Sequence, residues 1–280
     1  MSDGQRRDDL GLGSGALPRI VDAACIGELA WVGQHGPDAI AVTPLRLGDR
    51  PAVALPYGFA EPLRSAASAQ SVAIALTDSR MTSSAWCPMV ITGRPALLED
   101  LEGTLFGEHL LAQEVRKCPP ARAYADTPLL RSENWWYLPR VILTLDVDEA
   151  TPAEARTMPG DDGVLVTASS SGRPAVEVVR VADWSAHPLS LQALDGRPAR
   201  GEGRAVLLAH NFSVPDLERW VKRVTPGLLQ GGKLAVDGGA SPGPLELPPE
   251  LRLWERIQRH RTLERRCRRA ISAAERSGLT

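Results

Sequence analysis

Cysteine is scarce: Cys25, Cys87, Cys118 and Cys267 are the only four in 280 residues. None forms a C-x-x-C pair or stands at zinc spacing from a histidine, so neither a disulfide framework nor a common zinc module is expected, and no metal ligands are assigned. A reducing, cytoplasmic setting suits such thiols. Long apolar runs are also missing. No stretch approaches the roughly 20 residues of a membrane span, and the N-terminal Met-Ser-Asp-Gly-Gln-Arg-Arg-Asp-Asp lacks a signal-peptide core. There is no charge excess of either sign. The formal net charge is -2, which gives no global pull toward nucleic acid or membrane. G-x-S-x-G, H-E-x-x-H and a strand-linked phosphate loop are absent, and Gly11-Leu-Gly13-Ser-Gly15 lies in a polar tail.

What is present is a chain with 43% hydrophobic residues, enough for one large domain or two modest ones. Its organising feature is an echo. Val42-Thr43-Pro-Leu-Arg-Leu-Gly48-Asp-Arg50-Pro51-Ala52-Val53 resembles Val166-Thr167-Ala-Ser-Ser-Ser-Gly172-Arg173-Pro174-Ala175-Val176. Each reads as a hairpin: β-branched residues, a Gly that accepts positive φ, then a return strand opened by Pro. Ser71 to Asp78 is then echoed by Arg204 to Asn211. Met89 to Leu97 is echoed by Leu228 to Val236, with Gly93-Arg94 against Gly232-Lys233. Three pairs in one order point to a duplicated β-rich unit. Residues about 38 to 98 and about 163 to 236 are expected to share one strand order about a rough twofold axis.

In chain order, residues 1–17 are a polar tail expected to be disordered. Pro18 to Val32 reads as a helix, and Asp38 to Pro56 as the first hairpin. Pro62 to Gln70 is a short helix or turn, Val72 to Thr77 a buried strand, and Met89 to Leu98 another. Glu99 to Val115 reads as an amphipathic helix, Cys118 to Ser132 as a loop, and Val141 to Val147 as a strand. A linker spans Asp148 to Asp162. Ser213 to Val224 reads as a helix N-capped by Ser213, with Pro215 in its first turn. After a Gly/Pro segment, Leu251 to Ser277 is a long Arg-rich helix. It is expected to dock through Leu253, Trp254 and Ile257, leaving Arg259, Arg265 and Arg269 toward solvent or barrel acids. The segments are 1–17 tail, 18–150 first half, 151–240 second half, and 241–280 linker and C-terminal helix.

The strand order, the Gly turn with Arg50-Pro51, and the phrase Val90-Ile-Thr-Gly93-Arg94-Pro-Ala-Leu-Leu-Glu99-Asp100 resemble the FMN-binding split-barrel superfamily, the pyridoxamine 5'-phosphate oxidase-like proteins. The resemblance covers roughly residues 38 to 148. It implies an α+β, mainly β fold of two tandem split-barrel-like halves plus a C-terminal helix. It also implies a flavin in the groove between the halves, which one chain supplies here in place of a dimer. The resemblance places the phosphate contacts on Arg64 and Ser68 in one segment and on Arg80, Thr82 and Ser83 in the next. A guanidinium fork and hydroxyls suit phosphate oxygens. Trp135 and Trp136 are candidates to wall a flat ligand.

The leading function is a flavin- or deazaflavin-dependent oxidoreductase acting on a small molecule, with FMN as first cofactor. One alternative is a heme-binding or heme-degrading protein using one of His35, His109, His187, His210 or His260. The other is a cofactor-free binding module. No general acid or base is identified. No membrane or nucleic-acid partner is expected, and a further homodimer is open.

Overall fold

The computed structural model of the protein describes residues 15–239 and 242–278. The strands and helices are α1 (Ala16–Ala23), β1 (Gly27–Gly33), β2 (Gly36–Val42), β3 (Leu45–Leu47), β4 (Arg50–Pro56), α2 (Glu61–Ala67), β5 (Val72–Leu76) and β6 (Met89–Asp100). After them come α3 (Leu111–Lys117), α4 (Arg122–Ala125), α5 (Pro128–Glu133), β7 (Arg140–Pro152), β8 (Asp162–Ala168), β9 (Pro174–Val181) and β10 (Leu189–Ala193). The chain ends with β11 (Gly203–Phe212), β12 (Trp220–Gln230), β13 (Lys233–Val236) and α6 (Leu253–Arg276). The expectation for the N-terminal tail falls, up to residue 14, outside the described residues; Ala16 and Leu17 already belong to α1.

The first sheet has the order β2-β1-β5-β6-β7-β4-β3, and the second is a closed barrel, β10-β13-β12-β11-β8-β9. These are one arrangement. β2 pairs with β1 and β3 pairs with β4, whereas the single strand β9 pairs with both β8 and β10. So β9 does in one strand what β2 and β3 do in two. The fold is mainly β, with two split-barrel-like halves in tandem and a C-terminal helix.

Registers fix which residues are equivalent, and they move the sequence echo. Gly93 lies opposite Val72 and Val147, and Gly227 lies opposite Ala205 and Val236. A Cβ on Gly93 would lie 2.3 Å from the Asp146 carbonyl oxygen, and one on Gly227 2.4 Å from that of Ala235. Only glycine tolerates such an approach. The partner of Gly93 is therefore Gly227 rather than Gly232, which sits in the β12–β13 turn. Likewise the hairpin at Gly172-Arg173-Pro174 matches the β1–β2 turn at Gly36-Pro37, one hairpin earlier than the text match suggests. The pairing of Ser71–Asp78 with Arg204–Asn211 stands, since β5 and β11 hold the same place.

Several local expectations give way to tertiary contacts. The helix expected over Pro18–Val32 stops at Ala23, and β1 follows. From Gly27 the side chains alternate, with Leu29 and Trp31 entering the first core and Ala30 the seam between halves. The Glu99–Val115 helix starts later. β6 runs to Asp100, whose carboxylate accepts from the Phe106 amide at 2.7 Å and so caps the turn that leads into α3. Cys118–Ser132 contains the short helices α4 and α5. β7 extends to Pro152, well into the expected linker.

The helix expected over Ser213–Val224 is instead a turn and the start of β12. Ser213 Oγ donates to Asp216 and accepts from the Arg219 amide at 3.1 Å, and Trp220 then pairs with Phe212. Cap-forming residues serve a turn equally well.

The C-terminal helix is present but docks elsewhere. Leu253, Trp254 and Ile257 are 75%, 64% and 40% exposed. Cys267, Ile271 and Ala274 enter the first core instead, with Leu263 and Ala270 against it. The crossing point explains this. A Cβ on Gly58 would lie 2.8 Å from the Arg266 backbone carbon, so the helix is admitted closely only over that glycine. Arg259, Arg265 and Arg269 are exposed. No helix among the described residues is long and apolar enough to cross a membrane.

Candidate functional site

The halves meet face to face. Ala30, Ala39 and Ala73 of the first pack against Val164, Val166, Val206 and Leu208 of the second. Beside this seam lies a cleft of about 580 Å³, within the range typical of small-molecule sites. One wall is β6 and β7, with Val90, Thr92, Glu149 and Thr151; the other is β8 and β9, with Leu165, Thr167, Val176 and Glu177. The loop carrying Arg197 and Arg200 overhangs it. Glu177 organises that loop: its carboxylate meets Arg197 Nη2 at 2.6 Å and accepts from the Arg200 amide at 2.7 Å. Gly201, at φ +101°, lets the loop lie on β8, where a Cβ would meet Thr167 at 2.9 Å. Arg197 also binds Asp195, whereas the exposed Arg200 side chain makes no ion pair among the described residues.

A second group of polar residues is buried at the seam. Arg156, from the linker between the halves, contacts Glu28 of β1, lies 3.1 Å from Asp78 and 2.8 Å from His210 Nε2. His210 Nε2 is 2.7 Å from Glu28, and Thr77 donates to the other Glu28 oxygen at 3.3 Å. His210 Nε2 thus faces both Glu28 and Arg156, while Arg156 Nη2 donates to the Glu28 and Asp78 carboxylates. Burial and the Arg156 charge hold the His210 imidazole below its ordinary 6.5, against the pull of Glu28. For Asp78, burial pushes upward, but the Arg80 hydrogen bond and the Arg156 and Arg80 charges outweigh it and hold the carboxyl below 3.8. The group ties the halves together and is closed to solvent, which suits structure rather than turnover. No sequence motif announces it, because its members come from four distant segments.

The residues singled out from sequence fall in three places away from the cleft. Arg64 forms two hydrogen bonds with Glu99, at 3.0 and 3.1 Å, while Ser68 bonds back to the Ser65 carbonyl at 2.7 Å. Arg80 joins the seam: it binds Asp78, donates to Asn211 Oδ1 at 2.8 Å and stacks 3.6 Å over the Phe212 ring. Thr82 bonds the Ser79 carbonyl at 2.9 Å, and the Ser83 amide bonds that of Ala23 at 3.2 Å. Trp136 is buried beside Tyr124, Tyr137 and His260, while Trp135 is 45% exposed under Arg268. Nothing in the sequence pointed to Arg197, Arg200 or Glu177. They stand on an ordinary-looking loop and return strand, and only closure of the second barrel brings them over β8.

No protein-family model and no curated protein matches this chain. Among solved structures it is similar to the General Stress Protein 26 from Bacillus anthracis, at 14% identity, over 51% of this chain and 96% of that one, with a TM-score of 0.33. An F420 reductase is similar at 17% identity over 47% of this chain and 93% of that one, with a TM-score of 0.33. A heme-binding protein from Mycobacterium smegmatis is similar at 17% identity over 60% and 89%, with a TM-score of 0.32. These are likenesses of fold.

Proposed function

We propose that the inter-half cleft holds a flavin or deazaflavin and that the protein is an oxidoreductase acting on a small molecule. One observation carries the reading: a cleft of about 580 Å³ whose walls offer three threonine hydroxyls and whose overhanging loop offers Arg200, a guanidinium without an ion-pair partner among the described residues. The residues fit the group. Thr92, Thr151 and Thr167 supply hydroxyls to a polar ring edge, Val90, Leu165 and Val176 an apolar surface, and Arg200 a fork for the anionic tail. When bound, such a cofactor supplies hydride transfer. The chain's part is to orient it and limit water. FMN itself is the narrower form of this reading. Arg64 and Arg80 are not needed for it, because their forks are engaged by Glu99 and Asp78.

The heme alternative is less well supported, since no His, Cys, Met or Tyr lines the cleft to ligate iron. Both walls come from one chain, so no second copy is required. We take 18–150 and 151–240 as the halves and 241–280 as an appended segment. The four cysteines are free thiols, as a cytoplasmic setting would keep them.

Titration of the purified protein with FMN, a deazaflavin and hemin tests this. Saturable quenching of flavin or deazaflavin fluorescence is expected, weakened by about 1.5–3 kcal/mol in Arg200→Ala. A Soret band with hemin and no response to either flavin would transfer the protein to the heme reading. No response to any of the three would leave a binding module.

A further inference from the structure

A second recess lies on the other side of the first half, where α6 crosses the turn Tyr57–Phe59. Because Gly58 admits the helix so closely, Arg266 and Arg269 are brought, three residues apart on one helix face, opposite Arg64 of α2. Together they line a notch of about 380 Å³ with Tyr57, Gly58 and Ala270. The three guanidiniums are held differently. Arg64 spends Nε and Nη2 on Glu99 and keeps Nη1 out of that pair. The Arg266 guanidinium carbon sits 3.9 Å over the centre of the Phe59 ring. Arg269 is exposed, and neither it nor Arg266 has an ion pair among the described residues.

Of the acids nearby, Glu61 lines the notch, Glu99 is paired with Arg64, and Asp100 is engaged by the Leu105 and Phe106 amides. The lining itself sets three arginines against the single carboxylate of Glu61. Donors converging from two elements can serve three oxygens, whereas a carboxylate presents two. A forked contact from each direction is the geometry that phosphate accepts best. Small apolar surface at Gly58, Ala60 and Ala270 leaves space for a compact organic group.

We propose that this notch binds a phosphate monoester or free phosphate, with Arg266 and Arg269 as the principal contacts and the half-buried Arg64 as the α2 side of the cradle. It is separate from the cleft between the halves and independent of what that cleft holds.

Isothermal titration at fixed ionic strength tests it, with inorganic phosphate and pyrophosphate as probes and acetate and chloride as controls. Saturable binding of the phosphates and none of acetate is expected. Arg269→Gln and Arg266→Gln should each weaken it tenfold or more, while Arg261→Gln, on the outer helix face, and Arg200→Ala, in the cleft, leave it unchanged. Melting temperatures without phosphate should match the parent, which separates loss of contact from loss of fold. The proposal is overturned by no saturable phosphate binding, by an equal response to acetate, or by unchanged binding in both glutamine variants. Sedimentation with phosphatidic acid vesicles but no binding of free phosphate would also overturn it, in favour of a lipid surface.

Discussion

The two halves share a strand order and differ where they touch. Equivalent positions, read from the registers, pair Ala30 with Val166, Ala39 with Val176 and Ala73 with Val206. The first half presents small side chains and the second larger ones, so the faces interdigitate. The polar positions diverge further. Glu28 corresponds to Val164, Thr77 to His210 and Asp78 to Asn211. Thr77 and His210 nevertheless converge on the same Glu28. Arg156 already serves two buried carboxylates, Glu28 and Asp78. A glutamate in place of Val164 would add a third, and valine there avoids burying a carboxylate without a partner. Duplication thus set the topology, and divergence at the contact set the charge balance.

The sharpest way to break this asymmetry is at Arg156. Arg156→Ala strands Glu28 beside a neutral His210 and should cost about 3–5 kcal/mol in denaturant unfolding. Replacing the pair together, Glu28→Val with Arg156→Leu, should recover part of that loss, because no carboxylate is left unpaired, although His210 and Thr77 lose their Glu28 partner. A single variant within about 1 kcal/mol of the parent would mean the cluster is not what joins the halves.

Gly93→Ala and Gly227→Ala test the equivalence itself. Each new methyl would press on a backbone carbonyl of the next strand, and each should cost about 1–3 kcal/mol. Similar losses support the register. A loss at Gly93 alone would undo it.

The smallest effect concerns acid. His210 is held neutral by burial and Arg156, so below about 6.5 the unfolded chain takes up a proton that the native state refuses. Stability therefore falls as pH drops through that value. Asp78, held low by Arg80 and Arg156, adds a further loss at more acid pH, below its ordinary 3.8. Melting temperatures between about pH 7.5 and 5.5 should decline in the parent and flatten in His210→Gln. An identical slope in both would show that His210 titrates normally.

Much of the strand content was legible. Val72–Leu76, residues 89–98 of β6 and the Arg140 strand follow from apolar, β-branched runs, and those runs mark strands wherever they fall. The duplication was legible through β5 and β11, but the matching of hairpins was not. Short Gly-Arg-Pro turns look alike, and only the ladders show that β9 stands for β2 and β3. Ser213, Pro215 and Asp216 satisfied a helix cap as well as a turn, and pairing with β11 decided it. The proposed cleft offers hydroxyls and arginines too, but from other segments than those the sequence suggested. Which arginines stay outside ion pairs among the described residues was not legible, because Glu99 and Asp78 reach Arg64 and Arg80 through folding.

By itself the sequence determined the class of the molecule: a mainly β chain of two repeated units with an Arg-rich helix after a Gly/Pro segment. Hydrophobic pattern and turn residues act over a few positions, so they are readable without partners. The tertiary structure alone decided which face of α6 is buried, which half contributes the seam's glutamate and where a cleft opens. Those are set by contacts between residues far apart in the chain, such as Gly58 with Arg266 and Glu28 with His210. A side chain's charge, exposure and proton affinity follow from such neighbours, and no local stretch of sequence contains them.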